Sequence, residues 1–268
     1  MAQSYVKQTT KNNIAFIEFF TPEHNAMPSP ILKELAQVIT NAGNDDEVKV
    51  IVLKSGGDRT FCAGASFKEL IAIDNLEAGD LFFSGFANVI NAMRTCGKII
   101  IGRVQGKAVG GGVGLASATD YCLATKYAAI KLSEISIGIG PFVIEPAVSK
   151  KIGVTAFSQM TIDAENFYSA EYAKEKGLYA NVFETIEELD QAVNELANKL
   201  ASYNPEALSE LKNVLWQNTE NWDTLLKERA KISGKLVLSS FTKILSEVRN
   251  WLFLNCEYTL HRYLITYT

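Results

Sequence analysis

A mixed α/β domain that gives way to a helical stretch is the fold class this sequence predicts. Up to about residue 141, short apolar runs of strand length alternate with segments whose apolar residues recur every three to four positions. That is the pattern of strands alternating with helices. Beyond that point one strand-like run, Tyr179 to Phe183, interrupts helical patterns. With 268 residues, 47% hydrophobic and 21% charged, the composition suits one large globular domain or one domain with a helical extension.

The elements follow in order. Ile14 to Phe20 (IAFIEFF) reads as a strand, and Pro22-Glu23-His24-Asn25 breaks it, with His24 a polar turn residue. Ile31, Leu35, Val38 and Ile39 mark one face of a helix over Pro28 to Ala42. Val48 to Leu53 (VKVIVL) has the continuous apolarity of a buried strand, and FCAGASFKEL at 61–70 is a run of small residues entering a helix. Gly79 to Met93 reads as a helix with Leu81, Phe82, Phe86, Val89, Ile90 and Met93 on its apolar side. Lys98 to Val104, Tyr121 to Thr125 and Ala129 to Leu132 read as further strands. A helix begins near Glu145, another covers Glu187 to Ser202, and Asn204-Pro205 opens a third with Pro in its first turn. The last helix runs roughly from Thr224 to Lys243. We divide the chain into a core, 1–195, and a C-terminal helical region, 196–268, too thin for its own core and so packed on the main domain or on a second subunit. Arg249 to Thr268, rich in aromatics and Leu, reads as a packing or subunit-contact tail.

Several classes are disfavoured. The net charge is −4, and no Lys/Arg run forms a nucleic-acid stripe. No apolar run reaches the ~20 residues of a membrane span. The first residues lack the apolar centre of a signal peptide, so a cytoplasmic location is expected. Cys62, Cys96, Cys122 and Cys256 form no CxxC pair, and His24 and His261 have no ligating neighbours, so no metal site is expected.

Residues 109–116, VGGGVGLA, are half glycine. The dinucleotide fingerprint fails because Leu115 and Ser117 stand where its third glycine belongs. A Walker loop fails because Ala108 follows Gly106-Lys107 and Ile101 replaces the first glycine. What remains is a loop that enters a helix through the glycines and continues through Leu115, Ala116 and Ala118. Backbone N–H groups at such a start are free and partly positive, which suits a developing oxyanion.

FCAGASFKEL at 61–70, VQGKAVGGGVGLASATDYCLAT at 104–125 and IKLSEISIGIGPF at 130–142 together resemble the crotonase superfamily, the enoyl-CoA hydratase/isomerase family, and the likeness runs from about residue 5 to 245. The resemblance implies a crotonase-like spiral of ββα units with a C-terminal helical trimerisation region. It implies a homotrimer or hexamer acting on an acyl-CoA thioester, with coenzyme A part of the substrate and no separate cofactor. By position, the backbone N–H groups of Ala65 and Gly111 would be the oxyanion donors, and Glu134 the acid/base. Lys68 stands where the family often contacts a CoA phosphate, and Ala63, Gly110, Gly114, Pro141 and Phe142 complete the expected substrate-binding set.

The sequence departs from the family's two-carboxylate hydratases. Gly114 occupies the position of their first glutamate, and Gly-Pro-Phe at 140–142 resembles the isomerase version of the loop. Both departures favour one-base chemistry such as double-bond isomerisation, while hydration, a non-catalytic acyl-CoA-binding subunit and a thioester hydrolase stay open. Glu145 reads as a helix N-terminal residue stabilised by the dipole, or as a replacement second carboxylate. Asp120 reads as structural.

Overall fold

The structure, a computed structural model, describes residues 3–245; the tail at Arg249 to Thr268 lies outside the described residues. Its strands are β1 (Tyr5–Lys11), β2 (Ile14–Phe20), β3 (Val50–Ser55), β4 (Thr60–Cys62), β5 (Ile99–Val104), β6 (Lys107–Val109), β7 (Tyr121–Thr125), β8 (Ile130–Lys131) and β9 (Asn181–Phe183). Its helices are α1 (Ser29–Asn44), α2 (Phe67–Ile71), α3 (Leu76–Thr95), α4 (Gly111–Ala118), α5 (Glu145–Ile162), α6 (Ala170–Glu175), α7 (Ile186–Ala201), α8 (Pro205–Leu215) and α9 (Trp222–Leu236), with a 3-10 turn at Glu134–Ile137.

Six strands form one sheet in the order β1-β2-β3-β5-β7-β9, parallel except for the β1–β2 hairpin. Asn12 and Asn13, at φ 53° and 62°, supply the left-handed two-residue loop of that hairpin. Period-two alternation sends side chains to both faces of the sheet. Ile14, Val50, Val52 and Ile101 meet Leu189, Val193 and Ala197 of α7 on one side. Ala15, Ile17, Ile51, Leu53 and Ile100 join the main core with α1, α3 and α4 on the other.

The strands β4, β6 and β8 form a second, small parallel sheet. Each follows a strand of the large sheet and precedes a helix or turn, giving the units β3–β4–α2, β5–β6–α4 and β7–β8–α5. This is the expected spiral of ββα units. The loop ends of these units therefore sit side by side.

The helical end does not stand apart. The expected boundary at 195 falls inside α7, and Trp216, Trp222, Leu226 and Ala230 belong to the main core. The last helix is shorter than the pattern suggested: α9 stops at Leu236, a turn follows, and helix resumes over 240–245. The helices α9 and α3 cross at glycines, where a Cβ on Gly79 would lie 2.9 Å from Gly234 Cα.

A buried hub fastens α8 to the sheet. The side chains of Asp120 and Lys212 are 2% and 1% exposed and pair at 2.9 Å. The Trp216 indole N–H donates to Asp120 Oδ1 at 2.6 Å and the Ile100 N–H to Oδ2 at 2.7 Å, while Lys212 also donates to the Lys98 carbonyl at 3.0 Å. The structural reading of Asp120 thus acquires its partners. Asp120→Ala would leave the Lys212 ammonium buried without its counter-ion. It is expected to lower unfolding stability by about 3–5 kcal/mol, read as a lower urea midpoint.

Candidate active site

The three loop ends beside the small sheet line a half-open cavity of about 190 Å3. Ala63, Gly64 and Ala65 after β4, Gly110 and Gly111 after β6, and Ser133 and Glu134 after β8 line one part of it. Phe67, Leu70, Phe83, Phe86, Ile137, Ile139, Val143 and Ile144 supply an apolar remainder, and Ser233 of α9 lines it as well.

Missing side chains let these segments approach. Gly64 (φ 89°) and Gly110 (φ 53°) occupy conformations that L side chains rarely adopt. A Cβ on Gly64 would lie 3.1 Å from the Val109 carbonyl oxygen and 3.6 Å from the Gly111 nitrogen. A Cβ on Gly110 would lie 2.7 Å from Glu134 Oε1, and one on Gly112 2.9 Å from Cys62 Cβ. At Gly111 the ring of Phe86 fills the place where a Cβ would stand.

Two backbone donors are left over. Residue Met27 donates to the Gly64 carbonyl at 2.8 Å and accepts from the Ser66 N–H at 3.0 Å, so this bridge passes over the Ala65 N–H. Gly111 is the first residue of α4, where an N–H has no intrahelical acceptor. Neither N–H has a hydrogen-bond partner among the described residues.

The carboxyl of Glu134 faces this corner. It begins the 3-10 turn rather than lying in a strand. Its Oε2 is closed to solvent and has no hydrogen-bond partner. Burial raises its pKa from 4.5 to about 7, against a smaller opposite pull from backbone hydrogen bonds of Glu134 and Ser133.

Not every expected position reaches the cavity. Ala63, Ala65, Gly110, Gly111, Glu134 and Pro141 line it; Lys68, Gly114 and Phe142 do not. Lys68 is exposed on α2, and Phe142 packs beside Gly140. Gly114 is buried against Ile144, whose Cβ would lie 2.8 Å from a Cβ added there. The site of the absent first glutamate is thus filled by a hydrocarbon side chain. Glu145 begins α5, faces Arg229 at 3.7 Å and does not line the cavity. Sequence reasoning missed Phe83 and Ser233; Phe86 stood out only as one of several apolar residues on a helix face. Among the described residues, no group of three or more His, Cys, Asp or Glu side chains could hold a metal ion, and no helix is long and apolar enough to cross a membrane.

Comparison with known proteins agrees with this architecture. The enoyl-CoA hydratase/isomerase family model matches residues 9–243, and the chain belongs to that family of acyl-CoA enzymes. The short-chain-enoyl-CoA hydratase of Clostridium acetobutylicum is 31% identical over 213 residues, covering 79% of this chain and 80% of that protein. The peroxisomal Delta(3,5)-Delta(2,4)-dienoyl-CoA isomerase of Arabidopsis thaliana is 25% identical over 231 residues, covering 80% of this chain and 81% of that protein. The crystal structure of enoyl-CoA hydratase from Bacillus halodurans superposes with a TM-score of 0.86 at 19% identity, over 91% of this chain and all (100%) of that one, a likeness of fold.

Two consequences are measurable. Gly111→Ala must displace the Phe86 ring and is expected to cost about 1–3 kcal/mol, seen as a lower thermal midpoint. Glu134 ionises near 4.5 in the unfolded chain and at about 7 when folded. Between these values the folded state holds more protons, so its stability falls as pH rises and levels off above 7. Glu134→Gln lacks this decline, and the gap between the two unfolding curves is expected to widen to about 3 kcal/mol.

Proposed function

We propose that this enzyme moves the double bond of an enoyl-CoA thioester by a one-base proton shuttle. The Glu134 carboxylate takes a proton from C2 of a 3-enoyl thioester. Electron density shifts onto the thioester oxygen, which the N–H groups of Ala65 and Gly111 hold as a dienolate. The protonated Glu134 then returns the proton at C4, leaving the conjugated isomer. Nothing is gained or lost overall, and no cofactor beyond the coenzyme A of the substrate takes part.

The observation that carries this reading is the Glu134 carboxyl, with its Oε2 buried and unpartnered, beside two unpaired backbone donors. A pKa of about 7 suits both halves of the cycle, since Glu134 must take up and release the same proton near neutral pH. The filling of the Gly114 site by Ile144 favours isomerisation over hydration, because no second carboxylate stands there to orient water. Hydration is the second reading, favoured by the name of the Clostridium relative.

Glu134→Gln is expected to slow isomerisation and α-proton exchange in heavy water about 10²–10⁴-fold. The wild-type rate should rise with pH through about 7 as the base ionises. Turnover by Glu134→Gln at the wild-type rate would sink the assignment of the base. A product heavier by one water would replace isomerisation with hydration.

A further inference from the structure

The apolar end of the cavity contains one polar group that the proton shuttle does not use. Ser233 lines the cavity from α9 and is 1% exposed. Its hydroxyl makes no hydrogen bond to another described residue. The Thr242 hydroxyl, by contrast, donates to the Leu236 carbonyl at 3.0 Å. Leu70, Ile137 and Ile139 line the same cavity and cluster together, and Asp80 of α3 lies beside the neighbouring Gly234. Its position is fixed, because the neighbouring Gly234 is the point where α9 touches Gly79 of α3. A buried hydroxyl kept without a partner at a fixed place in a cavity wall is suited to meeting a partner on a ligand.

We propose that Ser233 is a specificity residue that hydrogen-bonds a neutral oxygen at the far end of a short acyl chain. The assignment rests on the acyl-CoA reading of the same site. A short chain suits the half-open cavity of about 190 Å3, since about 150 Å3 takes a guest of benzene size. An acyl group of about four to six heavy atoms fills such a space. The oxygen is neutral because no Lys, Arg or His lines the cavity. A terminal carboxylate would bury a second negative charge near Glu134 without a counter-ion, at a large desolvation cost. A hydroxyl, ether or carbonyl oxygen carries no such cost.

The test compares two thioesters of equal size, pentanoyl-CoA and ω-hydroxybutyryl-CoA, by calorimetric binding to wild type and to Ser233→Ala. Wild type is expected to bind the hydroxylated thioester about three- to tenfold more tightly, and Ser233→Ala is expected to bind the two equally with an unchanged thermal midpoint. Equal affinities in wild type, or a preference that survives in Ser233→Ala, would overturn the proposal. Binding needs no turnover, so it is read independently of the proposed chemistry. In parallel, α-proton exchange of both thioesters in heavy water is compared between wild type and Glu134→Gln. A Ser233-dependent binding preference without Glu134-dependent exchange supports the specificity residue and counts against the proton shuttle alone.

Discussion

The arrangement of the site depends on how closely bare backbone can approach other atoms at the start of α4. At Gly110, Gly111 and Gly112 the space of a Cβ belongs to the carboxyl of Glu134, the ring of Phe86 and the chain at Cys62 respectively. Those neighbours come from three different segments of the fold. The glycine run therefore acts as a meeting point: it brings the β4 corner, α3 and the 3-10 turn into mutual contact. Its entropic cost in the unfolded chain is offset by packing that no larger residue would allow.

Two carboxyls near this framework are treated in opposite ways. Asp120 is surrounded by donors from Ile100, Lys212 and Trp216, and its charge holds α8 against the sheet. Glu134 is half-buried with its Oε2 closed to solvent and unpartnered, and desolvation of the carboxyl raises its proton affinity. Burial alone thus decides neither role. What differs is the supply of donors, which makes one carboxyl an anchor and leaves the other free to exchange a proton near neutral pH.

Much of this was legible in the sequence where the signal is local. The strand at Ile14–Phe20 has its observed limits, and the three motifs fall at the three loop ends. The strands β4 and β6 were harder, being three residues long and so too short to show alternation, whereas the run Ala129 to Leu132 did mark β8. The strand β1 was hidden by its polar, exposed edge position. Apolar residues at Leu236 and Leu238 carried the expected last helix past its real end. Ser233 gave no signal, since its meaning comes from a cavity whose other walls lie far away in sequence. Lys212 and Trp216 were invisible as partners of Asp120 for the same reason.

The placement of α4 has an electrical consequence. Its eight residues run from Gly111 to Ala118, and its first residue lines the cavity. The peptide dipoles of the helix add toward that end, which carries a partial positive charge in a largely apolar cavity. The ionisable carboxyl of Glu134 lies beside it on the neighbouring corner. The cavity is therefore polarised before any guest arrives. In the proposed reaction, a negative charge passing from the carboxylate to the thioester oxygen would stay within the same fixed field, with no part of the backbone having to turn to receive it.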